Sequence, residues 1–279
     1  MKIDFHVHVT PPEISVNWEK YAQKEPYFSL LSHNKLNRFA SADEVVSLLD
    51  KEDSIFDRAV VFGFAFRDMG LCRYVNDYVI EKVRQYPHRL TGFCVIPPCA
   101  QAAGEIERCR NNGLAGVGEL FPEGQGIDLE NANETNNFTE VCKELGLPLL
   151  LHTNEPIGHF YPGKSNITLK QTETFINNNQ GLDIILTHWG GGLLFYETMS
   201  GIKQKFANVY YDTSASPFLY DEKIYSAAKA LCLCKKILFG SDFPLLNPSR
   251  YFDGLEKSAL SDEEKCQILG ENAKKLLKI

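Results

Sequence analysis

Two histidines separated by one residue, His6 and His8, close an apolar run that begins at Ile3. In a β-strand, residues two apart point to the same face, so both imidazoles would project side by side from one short segment. Asp4 would share that face one step deeper, and we expect it to support the histidines through a hydrogen bond. Two neutral imidazoles held in this way supply half of a divalent metal site.

Further candidate ligands each follow an apolar run elsewhere in the chain, at the point where a strand would end. Histidines and carboxylates are ligands that suit zinc, manganese or iron(II), and no thiolate is needed. Glu119 has a second interpretation, as a buried carboxylate that supports the ligands without binding metal. The candidates are Glu119, His152, His188 and Asp242.

Eight short apolar runs alternate with longer helical patterns along the chain, which predicts a parallel sheet. Eight such units in 279 residues favour an α/β fold of the (β/α)8 TIM-barrel type. A doubly wound open sheet is the alternative, but no glycine-rich phosphate loop follows the first strand. The predicted strands are 2–9, 58–65, 90–96, 115–120, 148–152, 183–188, 209–214 and 236–241. The predicted helices are 41–53, 71–85, 101–111, 134–145, 169–179, 193–206, 221–232, 248–259 and 262–278.

The chain has no composition break or linker, so we predict a single domain over residues 1–279. One stretch departs from the alternation, since residues 10–40 separate the first strand from its helix. Connections of this length are uncommon unless they are functional. In a barrel this segment leaves the C-terminal end of the strand, where active sites lie, so we predict that it covers the site.

Composition limits the partners and the compartment. The net charge is −7 and no basic run occurs, so nucleic acid is not an expected partner. No apolar run approaches the ~18 residues that span a bilayer, and Asp4 interrupts any signal peptide. The eight cysteines form no CxxC pair, which is typical of reduced thiols in the cytoplasm. We expect a small-molecule substrate, no membrane association, and a homodimer as the default oligomer.

The ligand set as a whole resembles the amidohydrolase superfamily of metal-dependent hydrolases. Residues 188–191, 211–215, 239–244 and 270–277 resemble the amidohydrolase-related branch within it. That branch includes aminocarboxymuconate semialdehyde decarboxylases and related aryl-acid decarboxylases. The resemblance covers essentially the whole chain, and it implies a TIM barrel with a metal site at the C-terminal ends of its strands.

The resemblance also implies roles for individual residues. His6, His8, His152 and Asp242 would hold a divalent metal, most often Zn²⁺, and His188 would be a catalytic acid or base. Gly118 and Glu119 resemble TatD-type members, in which a glutamate bridges two metals. In that arrangement His152 and His188 would bind the second ion. We therefore expect one tightly bound Zn²⁺ with room for a second, and Mn²⁺ or Fe²⁺ as alternatives.

These roles predict a metal-dependent hydrolase of a small ester, lactone or amide. A bound zinc lowers the pKa of its water from ~15.7 towards ~7. Asp242 would accept a proton from that water, and His188 would polarise the substrate or protonate the leaving group. The alternative is a non-oxidative decarboxylase of a small unsaturated or aromatic carboxylic acid. Two further hypotheses are a barrel that only binds ligands and a TatD-like nuclease, which the negative charge disfavours.

Four residues are candidates for substrate contact. His159 lies in a polar and aromatic stretch after the fifth strand. Arg67 and Arg38 could each grip a substrate carboxylate through two hydrogen bonds, although arginines are more often surface residues. Trp189 adjoins His188, so it either lines the pocket or belongs to the core.

Overall fold

Eight β-strands pair in chain order, and each strand is parallel to the next. The computed structural model describes residues 1–33 and 39–279. The eight predicted strands are all present, each shorter than its prediction at one or both ends. The strands are β1 (Ile3–His8), β2 (Arg58–Phe62), β3 (Leu90–Cys94), β4 (Gly116–Leu120), β5 (Leu149–Leu151), β6 (Ile184–Leu186), β7 (Val209–Asp212) and β8 (Ile237–Leu238).

The chain after β8 closes the sheet into a barrel by pairing with β1. The backbone N–H of Phe5 donates to the carbonyl of Phe239 (2.7 Å), and that of His8 donates to Phe243 (2.8 Å). The N–H of Asp242 donates in turn to the carbonyl of His6 (3.0 Å). The TIM-barrel prediction is therefore confirmed, and an open sheet is excluded.

Helices follow the strands in the order that the alternation predicts. Among the described helices, none is long and apolar enough to cross a membrane. The α-helices are α1 (Pro12–Val16), α2 (Trp18–Ala22), α3 (Pro26–Ser32), α4 (Ala42–Leu49), α5 (Met69–Gln85), α6 (Ala102–Asn111), α7 (Pro122–Gln125), α8 (Ala132–Leu145), α9 (Leu169–Asn178), α10 (Ser200–Lys205), α11 (Ser216–Leu219), α12 (Lys223–Ala230), α13 (Phe252–Lys257), α14 (Asp262–Cys266) and α15 (Asn272–Leu277). Short 3₁₀ turns lie at His188–Thr198, Cys234–Lys236 and Pro248–Tyr251, and a π-helical turn lies at Gln267–Glu271.

Two long helical predictions are interrupted in the structure. The predicted helix 193–206 begins as a 3₁₀ segment, which follows four residues with positive φ angles at 189–192, and its α-helical part is α10. The predicted helix 262–278 is broken by the π-helical turn at Gly270, where the chain passes against the backbone of Met1. A side chain at 270 would collide with that backbone.

Apolar side chains fill both faces of the sheet, which explains why the strands are almost continuously hydrophobic. One face packs against the surrounding helices. The other face fills the barrel interior with eight fully buried side chains: Ile3, Phe5, Val60, Phe62, Phe93, Leu150, Ile185 and Leu238.

Two strands carry an irregularity where their site residues lie. Between Asp4 and Val7, β1 advances by three residues while its partner β2 advances by two. Between Val117 and Leu120, β4 likewise advances by three residues while its partner β5 advances by two. A bulge of this kind re-aims the side chains at that point. His6 and Glu119 both lie within these irregular stretches.

The β1 bulge corrects the expected placement of Asp4. Strict alternation places it beside His6 and His8, but in the structure Phe5 fills the barrel interior and Asp4 lines a small cavity beside α4. Its carboxylate accepts the backbone N–H groups of His6 (3.3 Å) and Ser241 (2.9 Å). Asp4 therefore joins the first and last strands rather than supporting an imidazole.

The segment between β1 and α4 is more structured than a loop. Its described part folds into α1, α2 and α3, and two of these helices begin at a proline, which is favoured at the first helical position. Tyr27, Phe28 and Leu31 of α3 line the large cavity at the C-terminal end of the barrel. That this segment covers the site stays a prediction, since residues 34–38 lie outside the described residues.

A buried carboxylate ties α6 to α5 and β3. Glu105 accepts two hydrogen bonds from Arg108 (2.7 and 2.8 Å), one from Arg73 (3.1 Å) and one from Asn76 (2.9 Å). Asn76 also pairs with the backbone of Val95 just beyond β3. Burial would raise the pKa of the Glu105 carboxyl, but the hydrogen bonds from Arg108, Asn76 and Arg73 lower it to about 2.

We predict that Glu105→Gln lowers the free energy of unfolding by about 2 kcal/mol at pH 7, because charge-assisted hydrogen bonds are lost in a buried position. A depressed carboxyl pKa stabilises the fold above pH 4.5 and ceases to do so as the pH falls towards 2. The deficit of the variant should therefore shrink across that interval. Urea unfolding at several pH values measures it, with the exposed Glu107→Gln on the same helix as the control. An equal deficit in both variants would contradict the prediction.

Candidate active site

Four predicted ligands meet at the C-terminal end of the barrel. The Nε2 atoms of His6 and His8 are 3.2 Å apart. Glu119 Oε2 lies 3.7 Å from His6 Nε2 and 3.5 Å from His8 Nε2. Asp242 Oδ1 lies 3.6 and 3.4 Å from the same two atoms.

These separations fit a divalent metal ion. Ligand atoms about 2.1 Å from a tetrahedral ion stand about 3.4 Å from one another. The five measured distances, from 3.2 to 3.7 Å, scatter around that value. Two imidazoles and two carboxylates form a donor set for manganese, zinc or iron(II).

A second group shares Glu119 with the first. Ligand atoms of Glu119, His152 and His188 all lie within 4.8 Å of one another. His152 Nδ1 is 3.0 Å from Glu119 Oε1, while its Nε2–H donates to the carbonyl of Gly163 (2.9 Å). The resemblance implies His152 as a ligand beside His6 and His8. The structure instead places Glu119 among those residues and His152 beside His188.

The cluster concentrates buried negative charge around one imidazole. Burial would lower the pKa of His6, but the charges of Glu119 and Asp212 raise it to about 10. Burial would raise the pKa of the Asp242 carboxyl, but the hydrogen bond from His8 and the neighbouring imidazoles lower it to about 2. The pKa of Glu119 is likewise lowered against its burial, chiefly by His6. Both carboxylates are therefore ionised, which favours a bound cation.

Asp212, at the end of β7, holds the cluster together and was not recognised from sequence. It is fully buried, and its Oδ2 accepts the Nδ1–H of His6 (2.8 Å). Its Oδ1 accepts the backbone N–H of His188 (2.9 Å) and the hydroxyl of Ser214 (2.5 Å). A carboxylate on Nδ1 holds the ring so that Nε2 faces the cluster, as for a metal-ligating histidine. Its position at a strand end was the available signal.

His188 is held with one ring nitrogen towards the cluster. Its Nδ1–H donates to the carbonyl of Ser214 (3.0 Å), and the Ser214 hydroxyl is 2.9 Å from the same atom. The Nε2 atom then faces Glu119 Oε1 at 4.0 Å. His188 has a φ angle of 54°, an uncommon backbone conformation that the hydrogen bond to Asp212 supports.

The cluster forms part of the lining of a cavity of about 720 Å³ at the barrel mouth. Aromatic rings cover the imidazoles, since Phe64 stacks on His8 at 5.0 Å and Phe121 packs edge-on against His152 at 4.4 Å. None of the described cavity-lining residues is lysine or arginine. The cavity is therefore a mostly apolar space, with polar groups at the cluster and further polar side chains from the loop after β5 and from Tyr220.

The predicted substrate contacts separate into three groups. His159 lines the cavity. Trp189 does not, because its ring is fully buried and its Nε1–H donates to Ser216 Oγ (2.6 Å), so the core alternative holds. Arg67 does not line it either, since its guanidinium donates to the backbone carbonyls of Gly124 (2.5 Å) and Glu123 (3.3 Å). Arg38 lies outside the described residues.

A parallel (β/α)8 barrel with histidines and carboxylates at its C-terminal rim has the architecture of a metal-dependent TIM-barrel enzyme. The amidohydrolase family model matches residues 3–279 of the chain. The protein therefore belongs to the amidohydrolase family, and the resemblance stated from sequence is confirmed. The bridging role that the TatD-like Glu119 implied is a separate prediction.

Two curated relatives and one solved structure are similar to the chain over most of its length. It is 25% identical over 254 residues to the gamma-resorcylate decarboxylase of Polaromonas sp., covering 74% of this chain and 76% of the relative. It is 22% identical to the 2-amino-3-carboxymuconate-6-semialdehyde decarboxylase of Dictyostelium discoideum, covering 99% and 91%. The dihydroxybenzoic acid decarboxylase of Polaromonas sp. JS666, solved with bound manganese and 2-nitroresorcinol, superposes with a TM-score of 0.74 at 21% identity, covering 99% and 96%.

These relatives overturn the main functional expectation. Hydrolysis of an ester, lactone or amide is wrong as the leading hypothesis, because the relatives are named as decarboxylases. They agree with the alternative, a non-oxidative decarboxylase. The error arose because the same histidines and carboxylates serve both reactions, so that the ligand set does not distinguish them.

We predict that Asp212→Asn weakens divalent metal binding about 10- to 100-fold, because the amide no longer supplies the charge that orients His6. Competition with a chromophoric chelator for Mn²⁺ measures the affinity. The exposed Asp253→Asn, which breaks only a surface ion pair with Lys257, is the matched control. Equal affinity in the two variants would show that Asp212 does not position the cluster.

Proposed function

We propose that the protein is a metal-dependent, non-oxidative decarboxylase of a small aromatic or unsaturated carboxylic acid. The observation that carries the proposal is that the two curated relatives, matched over 74% and 99% of the chain, and the solved structure, matched over 99%, are decarboxylases. The geometry supports it, since a cluster that suits a cation lies in an apolar cavity large enough for one aromatic ring and its substituents.

His6, His8, Glu119 and Asp242 would hold the metal, on the distances given above. We propose Mn²⁺ ahead of the Zn²⁺ that the resemblance implied, because the related decarboxylase structure contains manganese. When bound, such an ion acts as a Lewis acid that orients and polarises an oxygen of the substrate carboxylate.

His188 is proposed as the proton donor. Ser214 fixes its Nδ1–H, so the Nε2 atom is the one that faces the cavity. A proton from Nε2 passes to the substrate carbon that bears the carboxylate. The bond from that carbon to the carboxylate then breaks, its electron pair restores the unsaturation, and carbon dioxide leaves. His188 regains a proton from solvent before the next turnover.

Asp242 is less suited to donate that proton. Its hydrogen bond with His8 and the neighbouring imidazoles lower the pKa of its carboxyl to about 2, so it is ionised at neutral pH. An ionised carboxylate can only accept hydrogen bonds. Asp242 is therefore proposed as a ligand, because the role of base that was expected for it belongs to the hydrolysis reaction.

The apolar wall contributes by excluding water. Tyr27, Phe64 and Phe121 line the cavity and can pack against a planar substrate. Exclusion of water strengthens the interaction of the charged groups with the carboxylate.

We predict that the Mn²⁺-loaded protein releases carbon dioxide from at least one member of a panel of hydroxylated benzoic and unsaturated acids. His188→Asn should lower the rate about 10²- to 10⁴-fold, because the proton donor is lost, while its metal content is unchanged. Carbon dioxide release and deuterium incorporation from heavy water at the vacated carbon are the measurements. The absence of turnover across the panel by the metal-loaded protein would refute the proposed function.

We predict about one tightly bound ion per chain, lost in Glu119→Gln and retained in the exposed Glu130→Gln control. The reason is that Glu119 supplies one of the four grouped ligand atoms. Inductively coupled plasma mass spectrometry measures the content. Two ions per chain would instead assign His152 and His188 as ligands of a second ion, and would contradict the role of His188 as proton donor.

A further inference from the structure

The loop after β5 is anchored at both of its ends. His152 donates through Nε2–H to the carbonyl of Gly163, as described above. The Oδ1 atom of Asn154 accepts the backbone N–H (2.9 Å) and the hydroxyl (2.7 Å) of Ser165. Hydrogen bonds therefore hold both ends of the segment 155–162, which lies at the edge of the cavity.

The first residue of that loop places a carboxylate in the cavity lining. Glu155 Oε2 accepts the hydroxyl of Tyr161 (3.2 Å). Its other oxygen, Oε1, is buried and has no hydrogen-bond partner among the described residues. The hydroxyl of Tyr220, which also lines the cavity, is buried and unpartnered in the same way.

Electrostatics shows that these groups act on each other and lie within reach of the metal cluster. Burial and then the charge of Glu155 raise the pKa of both Tyr161 and Tyr220. The charge of Asp242 adds to the effect on Tyr161. Both phenols therefore remain protonated, and the Tyr220 hydroxyl lies close enough to Glu155 for a hydrogen bond between them to add to the rise in its pKa.

We infer that Glu155 and Tyr220 select the substrate by recognising an uncharged hydroxyl on the part of the substrate that lies against them, and that Glu155 rejects a second carboxylate there. A hydroxyl can donate to Glu155 Oε1 and accept from Tyr220 at once, which satisfies both unpartnered atoms. A carboxylate can offer no donor and would face a like charge. This inference rests on the proposed function, since it assumes that a carboxylic acid occupies the cavity.

The positive charges near the loop do not offset that repulsion. Lys164 is the lysine of this loop, and its ammonium group donates to the backbone carbonyls of Ile157 (2.5 Å) and Gly158 (3.2 Å). It does not line the cavity, and neither does any other lysine or arginine of the described chain. A second substrate carboxylate near Glu155 would therefore be repelled by it, and the described lining offers no lysine or arginine to compensate that repulsion.

Equilibrium binding to the Mn²⁺-loaded protein tests the inference without requiring turnover. Isothermal titration calorimetry would compare benzoate with 3- and 4-hydroxybenzoate, and with the two corresponding benzenedicarboxylates. We expect one hydroxybenzoate to bind at least about 10-fold more tightly than benzoate, as for a hydrogen bond to a charged group, and the dicarboxylates to bind more weakly than benzoate. Glu155→Gln should reduce the hydroxyl preference and improve dicarboxylate binding, whereas Tyr220→Phe should reduce only the hydroxyl preference.

Two controls test whether the changes in affinity are specific to the substituted residues and whether the variants are folded. Glu130→Gln, an exposed change of the same type, should leave every affinity unchanged. Benzoate affinity should persist in Glu155→Gln and Tyr220→Phe, which shows that both variants are folded. The inference is overturned if neither hydroxybenzoate is preferred, or if Glu155→Gln keeps the preference and still rejects dicarboxylates.

The design separates this inference from the proposed function. If the protein decarboxylates no acid of the panel but still prefers hydroxybenzoates in a way that depends on Glu155, the inference stands and the proposed decarboxylase function is refuted. Decarboxylation with no such dependence would do the reverse. If turnover occurs, Glu155→Gln should raise KM for the hydroxylated acid more than it lowers kcat, because the proposed contact of Glu155 is with a hydroxyl of the substrate and not with the bond that breaks.

Discussion

The buried carboxylate of Asp212 is the constraint on which the site depends. A charge removed from water is tolerated only when it is fully paired and hydrogen-bonded. Asp212 meets that requirement by accepting from the His6 ring, the backbone of His188 and the hydroxyl of Ser214. These partners come from the ends of β1, β6 and β7. The hydrogen bonds that stabilise the Asp212 carboxylate therefore also fix the positions of three strand ends.

Much of the fold follows from periodicity in the chain. The eight strands were predictable because both faces of each are buried, so that each forms a short apolar run. The ligands were predictable as a group because parallel strands end on the same rim. The prediction of two imidazoles on one face held because residues two apart in a strand share a face.

Other features depend on contacts that the sequence does not display. The bulges in β1 and β4 break the two-residue alternation, so Asp4 points away from the histidines and Glu119 joins the first group of ligands. Trp189 is buried in a stretch of positive φ angles, where its ring nitrogen donates to Ser216. That contact joins residues 27 positions apart, so the sequence around Trp189 does not predict it. Asp212 and Glu155 acquire their importance from partners far away in the chain.

The choice between reactions lies outside the ligand set. Imidazoles and carboxylates can serve water attack or loss of carbon dioxide, and the surroundings decide which is favoured. Here aromatic rings enclose the cluster, and the described lining carries carboxylates and phenols but no lysine or arginine. The walls of the cavity, and not the metal ligands, therefore hold the information about the substrate.

Closure of the barrel by residues 239–243 against β1 has a consequence for biosynthesis. His6 and His8 leave the ribosome some 230 residues before Asp242 and the segment that seals β1. Domains generally fold as units during or after synthesis. One edge of β1 must therefore wait unpaired while the intervening residues are synthesised, and the group formed by His6, His8 and Asp242 can assemble only after that segment has emerged.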